Sequence, residues 1–345
     1  MKLTKDCFLG IILTVGLAIV AQTISKFIPY HLISAGVFAL ILGMLLNPIV
    51  TKNNSYDSGI KFTSKKILKL AIILMGATLS ISQVVEVGRF SLIVMVFTLL
   101  TAFGGGYLVG KIFNMDWKLS SLISAGTGIC GGSAIAAIAP VIEADDSDIA
   151  YAISATFLFD IIMVVVFPLM GQFFSMTDLG YGLWAGTAVN DTSSVVAAGY
   201  AFSDIAGRYS VIVKLTRTLS IVPIVVIFSY INNYVGRKTL VTPEGFEENV
   251  SSNKHIDVKK IFPWFIIMFL GVVVIKSTGI ITDSMSVSIS SLSKFLMIMS
   301  LGAIGLKTNF SKLAKSGFKP MLHGFIISLL VVVVSFIMQM LLGIS

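Results

Sequence analysis

Two hydrophobic segments, about sixty residues apart, are each long enough to cross a bilayer, and each is broken in its middle by residues that end helices. The first, 119–144, reads LSSLISAGTGICGGSAIAAIAPVIEA and breaks at Gly126-Thr127-Gly128 and Gly131-Gly132. The second, 181–202, reads YGLWAGTAVNDTSSVVAAGYAF and breaks between Thr187 and Ser194, with Asn190-Asp191 at its centre. Unwound backbone at membrane depth survives only where protein buries it or where it lines a wet cavity. A pair of such segments is the best sequence pointer to a transporter's substrate site.

The rest of the chain fits a membrane setting. Of 345 residues, 56% are hydrophobic and only 12% charged, where a soluble domain carries about 25% charge. The apolar stretches run to helix length, which excludes an outer-membrane barrel of short alternating strands. The expected fold is an all-α polytopic membrane protein, one integral unit over 1–345. It has about eleven membrane elements, at 7–25, 31–50, 67–85, 90–110, 119–142, 149–170, 180–202, 209–231, 261–278, 288–306 and 320–343. Those at 119–142 and 180–202 are the discontinuous ones. The first element lacks a convincing cleavage site and reads as a retained helix. The hydrophilic stretch 232–260 reads as a cytoplasmic loop.

The net charge of +8 could suggest nucleic acid, but its distribution points to the bilayer instead. With the N-terminus inside and every element crossing, seventeen of the twenty-five basic residues fall on the inner side and five on the outer. That bias orients the chain N-in and C-out in the cell membrane. A re-entrant hairpin at either broken element would swap every later loop and erase it.

Weak internal repetition supports a repeat-built architecture. Ser147-Asp148-Ile149-Ala150 follows the first broken element and Ser203-Asp204-Ile205-Ala206 follows the second. KLAIILMGATLSIS, 69–82, resembles KFLMIMSLGAIGLKT, 294–308.

Ionisable groups inside spans are costly and mark ligand sites or pathways. Lys214 and Arg217 are three apart, so they share a helix face, and they need anionic company: Asp160, Asp191 or a bound anion. Asp160, in FLFDIIMVVVFP, is either a structural partner of Arg217 or a protonatable coupling group. Asn190, Asp191, Thr192 and Ser193 supply side-chain oxygens and a cap for a second half-helix. Gly131, Gly132 and Ser133 start the other one, and half-helix starts favour an anion. Cys130 reads as a packing residue and not a reactive thiol. The two cysteines, Cys7 and Cys130, imply neither a disulfide framework nor a metal cluster. Gly104-Gly105-Gly106 and Gly302/Gly305 read as close helix packing. No H-E-x-x-H, G-x-S-x-G or Walker A motif is present, so neither an enzyme nor an ATP-driven pump is expected, and no cofactor.

GTGICGGSAIAAIAPVIEA, GTAVNDTSSVVAAG and VKLTRTLSIVP resemble the signature segments of the YeiH-type sulfate exporter family. That family belongs to the inverted-repeat transporters that include bile-acid symporters and cation/proton antiporters. The resemblance covers nearly the whole chain. It implies a core domain with two discontinuous helices crossing at mid-membrane, a scaffold domain, and elevator-type motion. It places Thr127, Cys130, Gly132, Ser133, Asn190, Asp191, Lys214 and Arg217 in the core. Many members carry a histidine where this chain has Asn190, which argues here against proton coupling through a histidine.

The expected function is therefore secondary transport of a small anion, such as sulfate or an organosulfonate or carboxylate. The anion would be held by Thr127, Cys130, Gly131, Gly132, Ser133, Asn190, Asp191, Thr192, Ser193, Lys214 and Arg217. Asp160 and Asp191 would handle a coupling H⁺ or Na⁺. Two other readings stand beside it: a cation/proton exchanger using Asp160 and Asp191, and a non-transporting scaffold or sensor subunit. Elevator-type proteins are often homodimers, and by that analogy a homodimer is expected. On this reading Arg217→Ala abolishes anion binding and leaves a folded protein.

Overall fold

Apolar runs that sit in lipid must satisfy their backbone within each segment, and helices do so. A computed structural model describes residues 5–27, 35–52, 54–239, 262–308 and 317–344. Among the described residues there is no strand. The helices are α1 (Lys5–Phe27), α2 (Ala35–Val50), α3 (Asp57–Phe62), α4 (Leu68–Met75), α5 (Ile81–Leu100), α6 (Gly106–Ile112), α7 (Trp117–Ala125) and α8 (Gly132–Ile138). They continue as α9 (Asp146–Phe173), α10 (Asp178–Ala188), α11 (Thr192–Phe202), α12 (Asp204–Leu219), α13 (Ile221–Thr239), α14 (Trp264–Ser277), α15 (Asp283–Lys307) and α16 (Phe318–Leu341). Six helical stretches are long and apolar enough to cross a membrane: Cys7–Ser25, Ile81–Ile112, Ser147–Phe173, Asp204–Asn232, Asp283–Lys307 and Phe318–Leu341. Helices α2 and α14 are apolar but shorter.

Several expected elements have different ends, most of all those at 67–85, 90–110 and 209–231. The run over 67–85 is not one helix: α4 stops at Met75, a 3₁₀ turn covers Gly76–Thr78, and Leu79 is extended at φ −119°, ψ 147°. Ser80 then caps α5, accepting from the Gln83 N–H while the Gln83 side chain accepts from the Ser80 N–H. This reciprocal cap starts a new helix inside an apolar run. The element expected over 209–231 starts earlier, at Asp204, where Ser203 Oγ accepts from Ala206 N at 2.9 Å. It is interrupted at Ser220, just ahead of Pro223, which has no N–H to extend the ladder. The loop expected over 232–260 begins inside α13, which runs to Thr239, and its remainder lies outside the described residues.

Lipid gives helices little hydrophobic reason to associate, so close approach through small residues matters. Helices α2 and α15 are pressed together at glycines. A Cβ on Gly305 would lie 2.1 Å from the Leu40 carbonyl oxygen, and one on Gly43 would lie 2.4 Å from the Gly302 carbonyl oxygen. Asn47 Nδ2 donates to the Leu306 carbonyl at 2.6 Å across the same seam. Helix α15 also ties down α4 and the π-turn Thr63–Ile67 before it, with Ser293 Oγ donating to Ala71 O at 2.8 Å and Ser300 Oγ to Thr63 O at 3.3 Å. Gly305→Val is expected to push α2 from α15 and cost about 1–3 kcal/mol. Thermal melting of the purified protein in detergent would detect this, and an unchanged melt would contradict the seam.

The second packing centre surrounds the two broken segments. Gly186 of α10 lies against α12, where a Cβ would come 2.6 Å from Val213 Cβ. Tyr181 of α10 stacks on Phe202 of α11 with ring centroids 4.0 Å apart. Trp184 Nε1 donates to the Val332 carbonyl of α16 at 3.0 Å. These contacts fix the direction in which α10 points its C-terminal end.

Candidate functional site

Both segments break where glycine or a capping residue allows it. After α7 the chain makes a π-turn over Gly126–Cys130, then reverses at Gly131, with φ 64° and ψ −136°, before α8. After α10 it runs extended through Val189 (φ −78°, ψ 135°) and Asp191 (φ −86°, ψ 146°) into α11. The two breaks touch: a Cβ on Gly131 would lie 3.0 Å from Asp191 Cβ and 3.2 Å from its Cα.

Each interruption strands backbone groups that an unbroken helix would pair. Their partners are the buried charges. Arg217 donates through Nε to Gly128 O, through Nη2 to Thr127 O and through Nη1 to Thr187 O. One guanidinium thus joins the carbonyl ends of both breaks. Lys214 Nζ donates to Val189 O at 3.0 Å. On the other side of the second break, Asn190 N and Asp191 N donate to the two carboxylate oxygens of Asp160, at 2.8 and 2.9 Å. Asp191 then caps α11, accepting from Ser193 N at 2.8 Å and from the Ser193 hydroxyl.

The charges sit where the helix dipoles ask for them. Cations face the negative C-terminal end of α10, and carboxylates face the positive start of α11. Lys214 and Arg217 are 0% exposed and Asp160 is 1%. Isolated charges at that depth would be prohibitive. The ion pairs found among the described residues, Lys276–Asp283 and Lys294–Asp204, lie elsewhere. The crossing thus gathers two basic and two acidic side chains, and the broken backbone stands between them.

A third helix stitches the breaks together. Ser328 Oγ of α16 lies 3.5 Å from Thr127 Oγ1 and accepts from Asn190 Nδ2 at 3.3 Å. Asn190 Oδ1 is buried without a partner.

A profile of the family described as Conserved hypothetical protein 698 matches residues 9–324. The chain belongs to this family. A UPF0324 membrane protein of Clostridium tetani is 70% identical to it over 99% of both chains. One from Fusobacterium nucleatum is 39% identical over 97% of this chain and 98% of the relative. One from Streptococcus pneumoniae is 39% identical over 97% of each. With its six long apolar helices, this member of the UPF0324 membrane proteins is a multi-pass membrane protein.

Within this UPF0324 chain the residues singled out in the sequence converge on one crossing, but they are unequally accessible. Thr127, Cys130, Gly131, Asn190, Ser193, Lys214 and Arg217 are buried. Gly132, Asp191 and Thr192 are partly exposed, and Ser133 is exposed, its Oγ donating to Cys130 O at 2.9 Å. Asp160 accepts from the Asn190 and Asp191 N–H groups, and the ion pairs found among the described residues do not join it to Arg217. Ser328 was not singled out in the sequence. A lone serine in GFIISLLVVVVSF carries little signal, because whether it faces lipid or protein depends on a helix rotation no spacing gives.

Proposed function

We propose that this chain is a secondary active transporter that exports a small anion, such as sulfate or an organosulfonate or carboxylate. Export would proceed by alternating access of elevator type in the cell membrane, with the N-terminus cytoplasmic and the C-terminus outside. The observation that carries this reading is the contact of Gly131 with Asp191, where two interrupted helices meet among buried charges beside a partly exposed polar rim. Interrupted helices of this kind form ion and substrate sites in membrane transporters. The segments that resemble YeiH-type exporters are the ones that make this crossing. In this reading the anion is held by Gly132, Ser133 and Thr192 and by the start of α11. Lys214 and Arg217, already engaged with carbonyls, supply positive potential from behind it.

The two carboxylates at the crossing favour a second reading, exchange of a cation or proton. Asp191 suits that role better than Asp160, both of whose oxygens already accept from backbone N–H groups.

Thermal melting of the purified protein against sulfate, sulfonates, carboxylates and Na⁺, at two pH values, tests the choice. A bound ligand raises the melting temperature by mass action. A selective rise with one anion, lost in Thr192→Val combined with Ser133→Ala, is the expected result. A response to Na⁺ or pH alone would favour cation exchange, and no response to any of them would favour a scaffold or sensor. Asp191→Asn, which keeps a residue able to cap α11, separates the transport readings by flux per folded protein. Anion transport should persist with altered coupling, whereas cation exchange through Asp191 would vanish.

A further inference from the structure

Lys61, Lys65 and Lys69 are spaced four residues apart along α3, the π-turn and α4, so they run down one side of the same rod. Lys66 stands beside the row. Lys307, in the last turn of α15, lies within electrostatic range of Lys61 and Lys65, with Asp57 as the acid in the same field. All five lysines are exposed, and the ion pairs found among the described residues involve none of them. Like charges at a four-residue spacing repel and destabilise the helix that carries them.

The row begins at the level of a membrane boundary. Lys69 Nζ lies 5.4 Å from the centroid of the Phe265 ring. The adjacent Trp264 is 56% exposed and Leu70 43% exposed. Tryptophan with exposed aliphatic surface marks the bilayer interface, so the lysines reach from there towards the headgroups. Topology alone does not ask for this arrangement. The positive-inside bias counts lysines in flanking loops and is indifferent to their alignment on an ordered helix.

We infer that the lysine row of α3 and α4, with Lys307, is a binding site for the phosphate headgroup of an anionic phospholipid. The complementary charge removes the repulsion along the row, and the acyl chains lie against Leu70 and Trp264. The site is separate from the crossing and does not rest on the transport reading. Each lysine close to an anionic headgroup is worth about fivefold in affinity.

The test melts the full chain in detergent with added phosphatidylglycerol, phosphatidylcholine or inorganic phosphate. Phosphatidylglycerol should raise the melting temperature, and the other two should not. In a Lys61→Gln, Lys65→Gln, Lys66→Gln variant its apparent affinity should fall about a hundredfold, and the matching arginine variant should keep it. Undiminished phosphatidylglycerol binding by the glutamine variant would overturn the inference. So would an equal shift with inorganic phosphate, which would make this a site for free anions.

Discussion

Arg217→Ala is expected to unfold the crossing and not merely to empty it. The guanidinium is buried and its nitrogens serve Thr127, Gly128 and Thr187 carbonyls from two different breaks. Removing it leaves three carbonyls without donors where water cannot replace them, and each such group costs about 1–3 kcal/mol. It also leaves Asp160 and Asp191 opposed by Lys214 alone. A loss of about 3–5 kcal/mol follows, visible as a collapsed melting temperature and aggregation on size-exclusion chromatography. Arg217→Lys should recover little, because an ammonium on a single stem lacks the planar fork that spans several acceptors. A wild-type melt for the alanine variant would remove Arg217 from its place as a clamp. The sequence reading, in which this variant loses its anion but stays folded, treats Arg217 as a ligand, and the three carbonyls change that expectation.

Gly131→Ala is expected to be nearly as damaging for a different reason. The backbone there, at φ 64° and ψ −136°, lies in a region that only glycine occupies without strain. The new methyl would also press on Asp191 at 3.0 Å, driving the two breaks apart. Strain and overpacking together amount to about 3 kcal/mol, and flux per folded molecule should fall with them. Gly132→Ala is the control for stability alone: a Cβ there meets nothing within 4 Å, and the change in folding stability should stay within about 0.5 kcal/mol. Equal melts for the two variants would show that the crossing tolerates separation.

The places where the chain breaks were legible, because Gly-Thr-Gly and Asn-Asp stand out in apolar runs. So were Asp160, Lys214 and Arg217, since a charge in a span needs a reason. Their partners were not. Side-chain letters invite pairing of Arg217 with Asp160, while the acceptors the structure uses are main-chain carbonyls that every residue carries and no sequence distinguishes. The helix start at Ser80 was hidden because LMGATLSIS stays apolar across the turn, and the Ser80–Gln83 cap outweighs that continuity only locally. The repeat held more than it showed. Ser147 precedes Asp160 by thirteen residues and Ser203 precedes Arg217 by fourteen. The two similar helix starts therefore deliver opposite charges to nearly the same depth of α9 and α12.

The reach of Arg217 across both breaks has a mechanical consequence. Sliding one interrupted helix past the other would strip a buried cation of its acceptors, so the pair is stiff in shear. Compliance is left to surfaces without such bolts. One is the greasy seam where Leu40 and Leu301 meet Val164 and Ala197, whose apolar contacts carry no directional geometry to lose.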